Sequence, residues 1–381
     1  MIRVDVKPVM LRWARERARL SIEELVQRFP KLDAWETSAA QPTLKQLEGF
    51  AKATRTPVGF FFLSEPPEER LPIPDFRTIR DERIRRPSPD LLETIYVSQQ
   101  RQEWYRDHAR AFGESKLEFI GSSNSNDDVE ETAARMRRAL EFDVAERGTL
   151  PTWTDALRRF IEQADALGVL VMVSGVVLNN NRRRLDPDEF RGFALSDDLA
   201  PLVFINGADT KAAQMFTLAH ELAHLWLGQT ALTDSNSASV PDAVTERWCN
   251  RVAAELLVPI EQFQRDYRRD ADLAGELARL ARRFKVSTLV VLRRMHDVRG
   301  LRSDQYWAAY EAEIGRLRGV PKSSGGDFYL TQGARLSKRF VRALIASTLE
   351  GQTLLRDAFR MLGFSKLETF RELGRSLGVF G

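Results

Sequence analysis

Half of the protein's histidine lies in one short stretch of the sequence. Residues 216–228 read F-T-L-A-H-E-L-A-H-L-W-L-G, where His220 and His224 are two of only four histidines among 381 residues. Positions four apart on a helix share one face and lie about 6 Å apart, so both rings can bind the same atom. Because neutral imidazole is a good zinc ligand, this pair predicts half of a tetrahedral metal site.

A glutamate directly after the first histidine suits proton transfer. Glu221 projects roughly 100° around the helix from His220, where it can reach a water molecule as a general base without binding the metal. The apolar neighbours, among them Leu218, Leu222 and Trp226, predict a helix that is buried almost all round. Two histidines and a glutamate without partners would be costly to bury, so we interpret the pattern as a metal site rather than a coincidence.

The third protein ligand is expected to be acidic, as in a His2Glu site. The remaining histidines, His108 and His296, lie in other predicted helices without a similar neighbour pattern. Glu246 stands 22 residues after His224, early on a helix predicted over residues 242–257. We therefore predict Glu246 as the third ligand.

Two alternatives remain open for this position. A glutamate at the start of a helix is favourable to the helix dipole and can simply be solvated. In that case Asp234 or Asp242 would be the substitute ligand. Asn250 follows Glu246 by about one turn, so it is placed to hold a ligand, or the first helix, by a hydrogen bond.

At these two motifs the chain resembles the ImmA/IrrE family of zinc metallopeptidases. The residues that carry the likeness are F-T-L-A-H-E-L-A-H at 216–224 and E-R-W-C-N-R-V-A-A-E-L-L-V-P at 246–259. The resemblance covers about residues 155–300. One departure is Cys249, where the family is expected to have alanine.

The resemblance implies an activity. By it, His220, His224 and Glu246 would bind Zn²⁺, and Glu221 would be the catalytic acid and base of peptide hydrolysis. Glu221 would take a proton from the attacking water and afterwards give it to the leaving amine. An edge strand among residues 190–205 is expected to align an extended substrate by strand addition.

The N-terminal segment resembles a DNA-binding domain. Residues 21–62, and residues 33–57 most clearly, are similar to the Xre type of helix-turn-helix domain. Residues 1–64 hold 11 Lys and Arg against 7 Asp and Glu, a local charge of +4 that suits phosphate contacts. The side chains expected to contact DNA are those of Arg12, Arg15, Lys31, Thr37 and Ser38. Such domains usually read palindromes as dimers, so a homodimer is expected.

The remaining pattern predicts an α+β protein that is mainly helical. Strands are expected at 169–178, 190–195 and 201–205, ahead of the histidine helix. The predicted domains are a helix-turn-helix domain at 1–64, a proline linker and helical connector at 65–150, a zincin-like zinc metallopeptidase domain at 151–320 and a helical C-terminal region at 321–381. Proline-rich residues 64–77 and residues 321–326 are interpreted as linkers.

Composition places this protein in the cytoplasm. Its single cysteine excludes an internal disulfide framework, and its N-terminus lacks the apolar core of a signal peptide. The longest apolar run, residues 167–178, is well short of the roughly 20 residues that span a bilayer, so no membrane partner is expected.

Two functional hypotheses follow from the motifs and the resemblances. The first is an intracellular zinc endopeptidase, fused to a DNA-binding domain, that cleaves a regulatory protein such as a helix-turn-helix regulator or a toxin. The second is a DNA-binding antitoxin or transcriptional repressor whose zinc domain mainly binds a partner protein. Both require zinc, but only the first requires Glu221.

Overall fold

The chain divides into two compact units. A computed structural model describes residues 3–69, 71–74, 87–233, 244–318 and 335–379. One unit comprises Met1–Pro72 with Asp81–Tyr96, and the other comprises Ile73–Arg80 with Val97–Gly381. Within the described residues, none of the helices combines the length and apolarity that a membrane span needs.

The first unit is built from short helices around an aromatic core. Its helices are α1 (Pro8–Arg17), α2 (Ile22–Val26), α3 (Leu32–Glu36) and α4 (Leu44–Thr54), with a 3-10 turn at Val58–Phe62. Phe29, Trp35 and Phe50 pack ring against ring, with centroids 5.5 to 6.4 Å apart. These contacts fix α3 and α4 against the turn that follows α2.

Local capping explains where two of these helices begin. The Ser21 hydroxyl accepts from the Glu24 amide while the Glu24 carboxylate accepts from the Ser21 amide, which confirms the capping box expected at α2. Thr43 and Gln46 make the same reciprocal pair at α4. A helix this short depends on such caps, because the first amide groups of a helix have no partner within it.

The second unit contains a small mixed sheet. Its strands are β1 (Leu170–Ser174), β2 (Gly192–Leu195), β3 (Leu202–Asn206) and β4 (Ala231–Thr233), in the order β1-β3-β2-β4. β1 and β3 are parallel, whereas β2 is antiparallel to both β3 and β4. The three strands expected from the sequence are confirmed with tighter bounds, and β4 was not expected.

The expectation of an edge strand among residues 190–205 is wrong. β2 and β3 each have a partner on both sides, so β1 and β4 are the outer strands of the sheet in the described part of the chain. The physical reason is the chain direction after the histidine helix. It returns along β2 and pairs with it from Ala231 to Thr233.

Helices surround the sheet and complete the core of the second unit. They are α5 (Pro89–Ala111), α6 (Val129–Ala139), α7 (Val144–Thr149), α8 (Trp153–Ala166), α9 (Lys211–Trp226), α10 (Val244–Leu257), α11 (Ile260–Asp266), α12 (Leu273–Phe284), α13 (Thr288–Asp297), α14 (Ser303–Arg318), α15 (Lys338–Leu349), α16 (Leu355–Leu362) and α17 (Leu367–Ser376). The main apolar cluster joins α6, α8, α9, α10, α12 and α13 with the inner strands. The architecture is therefore α+β and mainly helical, as predicted.

The two expected linkers are described only in part. Residues 64–69 and 71–74 contain no helix or strand, as their prolines predict. Residues 75–77 and the second expected linker at 321–326 lie outside the described residues.

Candidate metal centre

The histidine motif lies on α9, which is buried along most of its length. Thr210 caps its N-terminus by accepting from the Ala213 amide. From Gln214 to Trp226 every residue except Phe216 is buried. Packing on all sides fixes the side chains of this helix, so the polar residues among them are held in defined positions.

A second helix brings a carboxylate to the histidines. α10 packs along α9, and its small residues Cys249 and Ala253, both fully buried, allow the close approach. Glu246 lies in the first turn of α10 and is itself buried, at 4% exposure. A solvated glutamate at a helix start would be exposed, so that alternative interpretation does not fit this geometry.

Three ligand atoms converge at this place. His220 Nε2 and His224 Nε2 lie 3.0 Å apart. Glu246 completes the triangle, with its Oε2 3.2 Å from His220 Nε2 and its Oε1 3.0 Å from His224 Nε2. The three side chains form a buried group in which each offers one atom to a common point.

The dimensions of the triangle fit a tetrahedral metal ion. Ligand bonds of about 2.0–2.1 Å in tetrahedral geometry place neighbouring ligand atoms roughly 3.3 Å apart, close to the observed separations. Hydrogen bonds alone fit less well, because each Nε2 carries at most one proton and three contacts must be satisfied. We conclude that these three residues fit a metal ion better than they fit one another.

The electrostatics of the cluster also favour a cation. Although burial opposes its ionisation, hydrogen bonds from His220 and His224 hold the pKa of Glu246 well below its usual range. Burial lowers the pKa of His224, and the neighbouring His220 lowers it further. A neutral imidazole beside a buried carboxylate is the ionisation state in which these groups bind a metal.

Glu221 lies fully buried under the sheet. A Cβ atom placed on Gly192 of β2 would be 3.2 Å from Glu221 Oε1 and 2.5 Å from Thr217 Cγ2. Only glycine therefore lets the backbone of β2 come this close to the general-base candidate. The sequence analysis missed Gly192, although a glycine inside a strand pattern is a signal of close approach by another group.

Asn250 lies beside His220, on the same helix as Glu246. Burial opposes protonation of His220, but Glu246 first and Asn250 to a smaller extent raise the pKa of the ring. In the described part of the chain, neither Asn250 Oδ1 nor His220 Nδ1 has a hydrogen-bond partner. The position is compatible with the predicted role of Asn250 in holding a ligand. The substitute ligands Asp234 and Asp242 lie outside the described residues.

The predicted DNA-contact residues lie in the first unit and differ in exposure. Lys31, Thr37 and Ser38 are exposed around α3. The Arg12 side chain is 55% exposed, whereas that of Arg15 is 14% exposed.

Arg15 is also engaged within its own unit. It donates two hydrogen bonds to the buried Glu36 carboxylate, at 2.8 and 3.0 Å. This pairing gives Arg15 a structural task, and the DNA contacts themselves stay predictions.

Comparison with known families supports the class of the second unit. Residues 164–296 match the IrrE N-terminal-like domain of peptidase family M78, and this range includes the whole cluster. The match supports a zincin-like peptidase domain. Residues 336–376, which hold the C-terminal helices, match a domain of unknown function, DUF8813.

The comparisons do not extend to the rest of the chain's interpretation. None of the curated proteins matches the chain significantly. The helix-turn-helix resemblance of the N-terminal segment receives no support from the matched families.

Proposed function

We propose that this protein is a zinc-dependent endopeptidase that cleaves a regulatory protein. The observation that carries the proposal is the buried triangle of His220, His224 and Glu246, with Glu221 on the same helix as the histidines. The peptidase-family match over residues 164–296 supports the same reaction class.

Each residue of the cluster has a role in this proposal. His220, His224 and Glu246 would hold zinc, which when bound supplies a Lewis acid for the scissile carbonyl and for the attacking water. Glu221 would take the proton of that water and deliver it to the leaving amine. The buried site excludes bulk water, so the charge of Glu221 acts in a medium of low dielectric constant.

The N-terminal unit adds a proposed DNA-binding function. Its net charge of +4 over residues 1–64 and its exposed Arg12, Lys31, Thr37 and Ser38 support contact with phosphates. A homodimer would present two such units to a palindromic site. The regulatory substrate would then be a helix-turn-helix protein or a toxin that acts near the same DNA.

Replacing Glu221 with glutamine tests the peptidase proposal. Glu221→Gln keeps the shape of the side chain but removes the proton transfer, so zinc content and fold should be retained while cleavage falls by about 10²- to 10⁴-fold. Because the substrate is unidentified, the variant is tagged and its bound proteins are recovered from cells. Each recovered protein is then incubated with wild-type protein, and its fragments are identified by mass spectrometry. Glu261→Gln, at an exposed glutamate of α11, is the matched control.

The outcome separates the two hypotheses. A protein that is recovered with Glu221→Gln and cut by the wild type and by Glu261→Gln supports the peptidase. If Glu221→Gln regulates its targets in cells as the wild type does, the zinc domain is a binding module and the peptidase proposal is wrong.

A further inference from the structure

The outer edge of β4 carries a contact that the proposed reaction does not explain. In the β2–β4 pair, Leu232 lies opposite Phe193, between the pairs Gly192–Thr233 and Ala194–Ala231. Antiparallel pairs alternate between hydrogen-bonded and non-bonded residues, so Leu232 directs its N–H away from β2. That N–H donates to the Pro74 carbonyl at 3.2 Å.

The residue before Pro74 is anchored as well. Ile73 is only 5% exposed, although it lies in a segment without helix or strand. Ile73 and Pro74 both group with the second unit, whereas Pro72 groups with the first. An aliphatic side chain is thus buried next to a backbone hydrogen bond at a sheet edge, which is the way an extended peptide adds to a sheet.

Proline makes this contact one-sided. Pro74 has no N–H, so it accepts from the strand but cannot donate to it. Proline is tolerated at the edge of a sheet and not inside it. The contact therefore consists of one main-chain hydrogen bond and one buried side chain, which is few enough interactions to be exchanged for those of another peptide.

This edge lies close to the candidate site. β4 pairs through Thr233 with Gly192, the residue whose backbone lies against Glu221. Neighbouring strands are about 4.8 Å apart, so a peptide on the outer edge of β4 lies roughly 10 Å from β2. Three extended residues span that distance.

We propose that the outer edge of β4 is a docking surface for an extended peptide with one aliphatic side chain, and that Ile73 and Pro74 occupy it as an intramolecular competitor. The inference rests on the proposed peptidase function and names a subsite of its substrate. A tethered segment acts at an effective concentration near the millimolar range, so a free peptide binds only when the segment is released.

The same contact has a simpler purpose that the test must separate. Proteins cover exposed sheet edges to prevent association between copies. Edge protection alone requires that the segment stabilises β4, and it does not require that a second peptide binds there.

The test uses the zinc-loaded full chain and a labelled peptide that copies residues 67–74. Binding is measured by fluorescence anisotropy for the wild type, for Ile73→Asp and for the milder Ile73→Ala, with Pro72→Ala at an exposed neighbour as control. A peptide with aspartate in place of its isoleucine is the matched control ligand. Hydrogen exchange at residues 230–233 is followed by mass spectrometry on the same samples.

We expect both Ile73 variants to bind the peptide at least tenfold more tightly than the wild type and Pro72→Ala, and to exchange the Leu232 amide at least tenfold faster. The aspartate peptide should not bind. Faster exchange without peptide binding would reduce the contact to edge protection and overturn the proposal, as would unchanged exchange. Zinc content and cleavage, measured separately, report on the peptidase function itself, so the two failures are distinguishable.

Discussion

The two regions to which the sequence assigns function differ most in burial. In the metal-centre cluster, His220, His224 and Glu246 are at most 4% exposed and have their ligand atoms within 3.2 Å of one another. Around α3, Lys31 and Ser38 are exposed. Buried polar groups must be satisfied by chemistry in their surroundings, whereas exposed ones are satisfied by water.

This difference determines how much each region reveals about function. A buried cluster of two imidazoles and a carboxylate has few explanations besides a metal ion, because an unpaired arrangement would be costly. An exposed basic surface is compatible with nucleic acid, with a protein partner or with solvent alone. Substitutions should therefore have large, specific effects in the buried region and small, salt-dependent effects on the exposed surface.

The largest effect is expected where a buried charge loses its partner. Arg294 donates to Glu255 of α10 at 2.7 Å, and both side chains are at most 7% exposed. Arg294→Ala should lower the free energy of unfolding by about 3–5 kcal/mol, because it leaves the Glu255 carboxylate buried without that partner. Urea denaturation measures the change. Arg293→Ala, at an exposed position with a similar pair, should cost less than about 1 kcal/mol; equal effects would contradict the role assigned to burial.

A smaller effect is expected beside the metal ligands. Residues that orient a ligand typically contribute 10- to 100-fold in metal affinity, so Asn250→Ala should weaken zinc binding by about that factor while the fold is kept. Competition with a chromophoric chelator measures the affinity. Arg251→Ala, at an exposed position of the same helix, is the control. An unchanged affinity in Asn250→Ala would remove this residue from the site.

On the exposed surface, the two arginines of α1 should behave differently. Arg12→Ala should weaken binding to duplex DNA and reduce the slope of log affinity against log salt by about 1, because one phosphate contact is lost. Arg15→Ala should act first on stability, lowering it by roughly 1–3 kcal/mol, because Glu36 loses a bidentate partner. Anisotropy over a salt series and thermal melting measure the two effects. An unchanged slope in Arg12→Ala would exclude it from a DNA interface.

The smallest effect concerns the single cysteine. Burial raises the pKa of the Cys249 thiol well above its usual range, and the nearby Glu246 and Glu221 carboxylates add to the shift. The thiol therefore stays protonated as the pH rises through about 8.5, where a free cysteine becomes a reactive thiolate. Labelling with a thiol reagent should be slow in the native protein and fast after denaturation. Rapid native labelling at pH 8.5 would show that α10 opens or packs loosely.

The sequence predicted the chemistry of the cluster better than its surroundings. His220, Glu221 and His224 were found because a helix period places them on adjoining faces, and that geometry is local. The strands β1, β2 and β3 were found because their apolar runs are four or five residues long. The three residues of β4 have no comparable pattern, so its pairing with β2 is a tertiary effect that the local sequence does not report.

Two further features depended on distant parts of the chain. The pairing of Arg15 with Glu36 joins residues of α1 and α3, and nothing in either helix alone indicates it. The close approach of Gly192 to Glu221 joins β2 with α9. Both contacts arise when elements pack, and a single sequence read in local windows does not predict such packing.

The most direct test of the account is the metal content of the purified protein. Elemental analysis after zinc repletion should give about one zinc per chain for the wild type and essentially none for the His220→Ala, His224→Ala double variant, because the remaining carboxylate is too weak a site alone. Circular dichroism on the same samples checks that the variant is folded. A wild-type protein without zinc, or a double variant that keeps all of it, would contradict the assignment of this cluster as a metal centre.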